Sequence, residues 1–184
     1  MLSLKRNSWL LCLLLSCCQK ADLTVEPENT DAAEGEAKPA SIIGTGEGSR
    51  QCPYTVTDLL SAENLGNEPV WVIGYMVGTA PRSMNNAIFT TEADNQSNIL
   101  LSNDSLCTDI DRCIPVELSS AKSKTNFSLP TNTSHFRKCI VLEGTPSTYL
   151  YRKGLRKVSA GLWMDGFDIS TVAPQGWNYI TISW

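Results

Sequence analysis

Three features of residues 51–184 predict a mainly β fold, a small antiparallel β-barrel with one or two short helices. Short runs rich in β-branched and aromatic residues recur between Gly, Pro and Asn turns, as is typical of small all-β domains. No segment in this range has the length and periodicity of a long helix. The longest run, residues 70–78, has Gly74 at its centre, where the first strand of a closed barrel must bend. A β-sandwich is the alternative.

The first predicted elements are one short helix followed by three strands. Thr55 and Asp58 have the spacing of a capping box, and Gly66 supplies a stop, so the helix lies between them. Residues 70–78 form a strand with a bulge or sharp bend at Gly74. Residues 87–91 and 98–102 are the next two strands.

The second half of the domain alternates between strands and polar connections. Residues 113–118 place Ile114, Val116 and Leu118 on one face. Residues 120–136 are polar and contain Pro130, which allows at most one short helix. Further short strands are predicted over residues 138–143, 149–151, 155–163 and 180–184.

The amino terminus has the pattern of a lipoprotein signal. Lys5 and Arg6 precede the apolar residues 9–15, which are too few to span a membrane as a helix. The sequence LLSC at residues 14–17 resembles the lipobox of bacterial lipoproteins, which indicates that Cys17 carries the lipid. Cys18 is the alternative, because the Gln and Lys that follow it resemble a surface-export signal. Acyl chains on this cysteine would anchor the protein to a membrane.

The composition divides the chain into three parts. Residues 1–17 are predicted to be the signal peptide. Residues 18–50 are acidic and contain no aromatic residue, which predicts a flexible tether. Residues 51–184 are the folded domain, and they hold four of the five Trp residues. The net charge of −4 comes mainly from the tether, so the domain has no global basic field that would indicate nucleic acid binding.

A known family is suggested by the order of several blocks. They are PYTVTDLL at residues 53–60, VWVIGYMVG at 70–78, SNILLS at 97–102, CIPVEL at 113–118, CIVLEG at 139–144 and GLRKVSA at 154–160. Together they resemble a domain of unknown function in Bacteroidetes envelope lipoproteins, related to OB-like domains fused to some extracellular nucleases. The resemblance covers residues 53–163 and implies an OB-like barrel in the cell envelope. It implies no catalytic residue.

The residue inventory argues against catalysis. His135 is the only histidine, and no GxSxG sequence occurs, so a hydrolytic triad has no basis. The glycines of residues 43–48 lie in the tether and precede no helix with a Lys-Ser/Thr pair, so they form no phosphate loop. No cofactor and no metal site is expected, and the domain is predicted not to be an enzyme.

One segment carries a candidate binding surface on the connection between the last two strands of the proposed barrel. It packs two aromatic side chains and four basic ones into nine residues: Tyr149, Tyr151, Arg152, Lys153, Arg156 and Lys157. Aromatic stacking beside positive charge is how such barrels hold single-stranded nucleic acid or oligosaccharide. A charged hairpin that only keeps a sheet edge soluble is the competing interpretation.

The domain contains four cysteines, which an exported chain can oxidise. Cys107 and Cys113 are able to close a small loop, but Cys52 and Cys139 leave three pairings open. Cys113 and Cys139 each begin an apolar run, so buried free thiols are the alternative to disulfides. The predicted function is a non-catalytic lipoprotein of the cell envelope whose OB-like module binds a ligand, either nucleic acid or glycan. Its predicted location is the outer membrane, on the surface or the periplasmic face. The alternative is an accessory module of an envelope nuclease or glycan-processing system that acts through a protein partner.

Overall fold

The computed structural model describes residues 46–64 and 66–169. The described chain is mainly β, as predicted. Its six strands are β1 (Tyr54–Thr55), β2 (Val70–Gly78), β3 (Asn98–Ser102), β4 (Cys113–Glu117), β5 (Cys139–Tyr149) and β6 (Arg152–Met164). Its two α-helices are α1 (Val56–Ser61) and α2 (Ala121–Phe127), and short 3-10 turns occur at Met84–Asn86, Ile110–Arg112, and Thr133–His135.

Five of the strands close into a ring in the order β2-β3-β4-β6-β5, and β5 pairs with β2 again. Four of the five ring contacts are antiparallel, and β4 pairs with β6 in parallel through Val116 and Leu155. A ring with an odd number of strands cannot alternate direction throughout, so an otherwise antiparallel ring of five strands needs this parallel contact. The described strands form one mixed sheet, in contrast to the two sheets of the sandwich alternative.

Both helices begin at capping boxes. The Thr55 side chain accepts a hydrogen bond from the Asp58 amide, and the Asp58 carboxylate accepts one from the Thr55 amide at 2.7 Å. Ser120 and Ser123 make the same exchange at the start of α2. These caps satisfy amide groups that the first turn leaves without partners. The predicted α1 is therefore confirmed, although it ends at Ser61, before Gly66.

The strand β2 spans the predicted residues and changes partner within them. Val70–Tyr75 pairs with β5, and Tyr75–Gly78 pairs with β3. A Cβ atom at Gly74 would lie 3.0 Å from the Val56 side chain, so the glycine lets α1 approach the sheet. The bulge predicted at Gly74 occurs instead between Met76 and Gly78.

The interior of the ring follows from the alternation of each strand. Every second residue points inward and is buried. The inner cluster includes Val72, Met76, Ile99, Leu101, Ile114, Val116, Ile140, Leu142 and Leu155. Two smaller clusters lie on the outside of the sheet, one around Ile73 and Val141 and one around Val77 and Leu100.

Two predicted strands do not form. Residues 87–91 make only an isolated bridge between Thr79 and Ile88, because this segment runs across the outside of the sheet. Residues 149–151 are the end of β5 and a turn, and β6 begins at Arg152. The strand predicted at 180–184 lies outside the described residues.

The folded unit begins earlier than residue 51. The Trp71 amide donates to the Gly48 carbonyl at 2.8 Å, and the Gly46 amide donates to the Asp58 carboxylate at 3.2 Å. These hydrogen bonds tie residues 46 and 48 to the start of α1 and to β2. Among the described residues, no helix has the length and apolar character needed to cross a membrane.

Candidate ligand-binding site

The candidate site is the hairpin formed by β5 and β6. Its turn consists of Leu150 and Tyr151, which have φ values of 49° and 63°. Two positive φ values are typical of the tight turns whose twist matches paired strands, and Gly or Asn normally occupies them. Leu150 is half-buried in the outer cluster around Leu100, whereas the Tyr151 side chain is 92% exposed.

The six predicted residues are divided between two faces of this hairpin. Tyr149 pairs with Arg152, Thr148 pairs with Lys153, and Thr145 pairs with Arg156. Because paired residues point to the same face and neighbours to opposite faces, Tyr149, Arg152 and Arg156 share one face. Lys153 lies on the other. The segment that is continuous in sequence is therefore not one continuous basic surface.

On the first face, both arginines are paired with carboxylates. Arg152 contacts Asp111 at 2.7 Å, and Arg156 holds Glu117 through two hydrogen bonds of 3.0 and 2.9 Å. The guanidinium of Arg156 also lies over the Tyr149 ring, 5.8 Å from its centroid. The hydrogen bonds to Glu117 raise the pKa of Arg156. The positive charge predicted for this face is therefore balanced by neighbouring elements.

On the second face, Lys153 is bound to the end of α1. Its amine donates to the carbonyl groups of Leu60 at 2.7 Å and Ala62 at 2.5 Å. These carbonyls belong to the last turn of the helix, where a cation is favoured. The ammonium group thus fastens α1 to the hairpin.

A cleft of about 310 Å³ opens between the end of α1 and this face of the hairpin. Its walls are polar and apolar in about equal parts, and the polar part is formed by Glu63, Asn64, Ser147, Thr148 and Lys153. The volume is at the lower end of the range for small-molecule sites. Amide, hydroxyl and carboxylate groups of this kind suit a ligand that carries several hydroxyl groups.

The remaining predicted residue, Lys157, lies where β6 bulges away from β5. The register shifts between Glu143 and Thr145, and Lys157 has a φ of 54° at this position. Within the described part of the chain, Lys157 and Tyr151 are the members of the six that make no hydrogen bond, ion pair or ring contact with a protein group. They are the exposed groups that remain available to a ligand.

The outer face of β3 and β4 is covered by the protein itself. All five residues of β3 are buried. The β2–β3 connection contributes Met84 and Ala87 to this cover, and the β3–β4 connection contributes Cys107 and Ile110. These connections leave no residue of β3 exposed.

A buried asparagine fixes the first of these covering connections. The Asn98 side chain accepts a hydrogen bond from the Ala80 amide at 2.8 Å and donates one to the Ala80 carbonyl at 2.9 Å. The Thr79 hydroxyl donates to the same amide oxygen at 2.8 Å. Because all three residues are buried, breaking this network would leave polar groups without partners.

Residues 54–164 match the family model described as a domain of unknown function, DUF6359. The chain belongs to this family. The match agrees with the extent of the resemblance in the sequence, residues 53–163. Neither a curated protein nor a solved structure matches the chain.

The DUF6359 domain also brings two of its cysteines together. The sulfur atoms of Cys107 and Cys113 lie 3.9 Å apart, and both residues are buried. All four described cysteines are thiols in this structure. The disulfide suggested for this pair stays a prediction. Cys17 and Cys18 lie outside the described residues.

The carboxylates near Cys107 and Cys113 interact with other groups of the DUF6359 domain. Asp104 caps a turn and contacts Arg112 at 3.6 Å, and Asp109 caps the 3-10 turn at Ile110–Arg112. In the portion of the chain that the structure describes, no group of three or more His, Cys, Asp or Glu side chains is arranged to hold a metal ion.

Sequence inspection missed the groups that neutralise the predicted patch. Asp111, Glu117 and the carbonyls at the end of α1 come from three other elements, and only the closure of the ring brings them to the hairpin. The role of Leu150 was also missed. An apolar residue between two tyrosines in a turn is a signal that the turn packs against the body of the domain. His135 lies in a short 3-10 turn and stacks on Trp163 with 4.3 Å between ring centroids.

Proposed function

We propose that this chain is a non-catalytic lipoprotein of the cell envelope whose DUF6359 domain binds oligosaccharide at the tip of the β5–β6 hairpin. The amino-terminal signal pattern supports attachment through a lipid on Cys17, with Cys18 as the alternative. The outer membrane is the proposed location, with the domain on the surface or the periplasmic face.

An OB-like barrel is the fold that we propose for the ring. Its support is the strand order, in which the third ring strand pairs in parallel with the fifth. The helix α2 lies between the third and fourth ring strands, β4 and β5. In barrels of this class, the connection between the last two strands is one of the ligand-binding elements. That connection is here the turn at Leu150 and Tyr151.

The binding proposal rests on the backbone conformation and the exposure of Tyr151. A tyrosine at positive φ costs free energy that a glycine would not, and such strain is concentrated at binding and catalytic sites. Leu150 is anchored in the outer cluster, while the Tyr151 ring stands 92% exposed at the tip. An aromatic face presented to solvent in this way stacks on flat, partly apolar ligands such as pyranose rings.

Oligosaccharide is favoured over single-stranded nucleic acid by the charges. Affinity for nucleic acid depends on cations that are free to neutralise phosphates. Arg152 and Arg156 are paired with carboxylates, and Lys153 is bound to helix carbonyls. The cleft beside the tip adds hydroxyl and amide groups that match sugar hydroxyls.

The test compares a glycan array with a set of single-stranded oligonucleotides, both probed with the full mature chain. The Tyr151→Ala variant removes the ring, and Leu106→Ala is the matched control because Leu106 is a large apolar residue that is 65% exposed elsewhere. We expect Tyr151→Ala to weaken glycan binding by roughly tenfold, the effect of losing one stacking contact.

Several results would contradict this proposal. Glycans that fail to bind the unmodified chain, or bind Tyr151→Ala as tightly, would exclude the tip as the site. Oligonucleotide binding with a steep salt dependence would assign the tip to nucleic acid instead. Equal losses in Tyr151→Ala and Leu106→Ala would indicate a general effect on folding.

Anchorage is tested separately by replacing both candidate cysteines with serine. We expect the unmodified protein to fractionate with membranes and the double variant to be soluble, because no acyl chain can then be attached. A double variant that still fractionates with membranes would contradict the lipid anchor. This result is independent of glycan binding.

The alternative is an accessory module of an envelope nuclease or glycan-processing system, which acts through a protein partner. This alternative is supported by two partly exposed apolar side chains on the outside of β6, Leu162 and Met164. Leu162→Lys would disrupt a partner surface there while leaving the tip unchanged. Co-purification that is lost in Leu162→Lys and kept in Tyr151→Ala would favour this alternative over glycan binding.

A further inference from the structure

Two thiols touch on the covered outer face of β3 and β4. Cys107 is 5% exposed and Cys113 is 2% exposed, and their sulfur atoms are 3.9 Å apart. Cys113 begins β4, and Cys107 lies in the connection that leads to it. A disulfide requires a sulfur–sulfur distance of about 2.05 Å, so small side-chain rotations and a slight shift of the connection would close the gap.

The other two cysteines of the domain lie in a different place. Cys139 is buried in the outer cluster that contains Ile73, and Cys52 packs against that cluster. Cys107 and Cys113 belong to the separate cluster that contains Leu100. Of the three pairings that four cysteines allow, any pairing that splits Cys107 from Cys113 would have to join residues of separate clusters.

We propose that Cys107 and Cys113 form a disulfide in the exported protein, with a disulfide-donating oxidoreductase as the oxidant. A thiolate from one cysteine attacks the donor disulfide, which forms a mixed disulfide and releases one donor thiolate. The second cysteine then attacks the mixed disulfide and releases the other donor sulfur. The two cysteines lose two hydrogen atoms in total, and the donor gains them. The proposed export supplies only the oxidising compartment.

Burial determines when this bond forms. Removal from water raises the pKa of the Cys113 thiol, and the neighbouring Cys107 raises it further. Because the thiolate is the reactive species, the folded pair reacts slowly with oxidants. The exchange therefore occurs before the β3–β4 connection closes over the sheet, and the completed bond is protected from reductants.

The bond fixes a segment that supports the hairpin tip. The closed loop contains Ile110, which packs in the same cluster as Leu150, and Asp111, which pairs with Arg152 at 2.7 Å. Holding this loop against β4 holds both contacts in place. The disulfide therefore gives the proposed binding site a covalent support, and it forms whether or not a glycan binds.

Tryptic peptide mapping of the full chain, exported to an oxidising compartment and blocked with a thiol reagent before digestion, tests the proposal. Cleavage after Arg112 separates the two cysteines into peptides 83–112 and 113–122. We expect these peptides to be joined, lighter by two hydrogen atoms than their sum, and released by reductant. Blocked thiols on both peptides, or a link from either peptide to Cys52 or Cys139, would overturn the proposal.

Thermal unfolding provides a second measurement. We expect the exported chain, after reduction in denaturant and refolding in reductant, to have a Tm roughly 5 °C below that of the oxidised chain, because the crosslink restrains the unfolded state. A variant with Cys107→Ala and Cys113→Ala should show no such reductant dependence, whereas Cys52→Ala should keep it. A reductant effect that persists in the double variant, or disappears in Cys52→Ala, would contradict the assigned pairing.

Discussion

The two ends of the β5–β6 hairpin have opposite properties, although the same two strands build both. At the hairpin root, Cys139–Gly144 pairs with β2 on one side, and Cys139–Glu143 pairs with β6 on the other. At the hairpin tip, residues 145–149 pair only with β6. The bulge that contains Lys157 separates the two ends.

Burial follows this difference in pairing. Four consecutive residues at the root, residues 139–142, are buried, whereas Ser147, Thr148 and the turn residue Tyr151 are exposed at the tip. A strand with two partners and two covered faces contributes mainly to stability. A strand with one partner leaves side chains for contacts with other molecules, so binding residues are expected at the tip and stability at the root.

The largest effect should come from opening a cavity at the root. Leu142 is fully buried in the inner cluster, so Leu142→Ala should lower the free energy of unfolding by about 2–5 kcal/mol. Thr148→Ala at the exposed tip is the matched control and should change it by less than about 0.5 kcal/mol. Urea unfolding measures both, and similar values for the two variants would contradict the division into root and tip.

A smaller loss should follow from separating the tip from β4. A Cβ atom at Gly154 would lie 2.2 Å from the Pro115 carbonyl oxygen, so Gly154→Ala forces the two backbones apart. We expect a loss of about 1–3 kcal/mol in the free energy of unfolding, as for other overpacked sites. Ser147→Ala, on the paired residue across the hairpin, is the control. If Gly154→Ala proves neutral, the tip is not held by its contact with β4.

The root should also make stability sensitive to alkaline pH. Burial raises the pKa of the Cys139 thiol above its ordinary 9.0 and that of Tyr75 above 10.0. The unfolded chain releases these protons first, so stability is complete below about pH 9 and falls as pH rises further. Each group contributes at most about 1.4 kcal/mol per pH unit.

Chemical unfolding between pH 8 and 11 measures this slope. Cys139→Ala should flatten it, because Cys139 is then absent from both states. A slope that is unchanged in Cys139→Ala would show that the root thiol does not hold its proton on folding.

The smallest effect, and one of opposite sign, is expected at the turn. Tyr151→Gly removes a side chain from a position with φ of 63° and should stabilise the domain by roughly 0.5–1 kcal/mol, after the added chain entropy of glycine is subtracted. The same variant should lose the proposed glycan binding. Thermal unfolding and the glycan array provide the two measurements, and a destabilised variant would show that Tyr151 is structural.

The elements with strong local signals were predicted closely. The capping box at Thr55 and Asp58, and the β-branched runs at residues 70–78 and 98–102, occur where expected because their signals lie within a few residues. Residues 87–91 have a similar composition, but their pairing with the chain just after β2 is limited to the bridge between Thr79 and Ile88. Strand composition alone does not provide a pairing partner.

The candidate site was predicted less well, for a related reason. Its location on the connection between the last two strands followed from the concentration of aromatic and basic residues. The charge that remains free to meet a ligand could not be predicted in this way. Asp111 and Glu117 are far from the hairpin in sequence and neutralise two arginines only after folding. Strand alternation then divides the remaining residues between two faces.

The sequence by itself determined the mainly β class, the capped helix α1 and the spacing of buried side chains, because these depend on local dihedral preferences and on the period of each strand. Only the tertiary structure decided which strands pair, which cysteines touch and which cations remain exposed. These outcomes depend on contacts between residues distant in the chain, and the closure of a five-stranded ring creates those contacts all together.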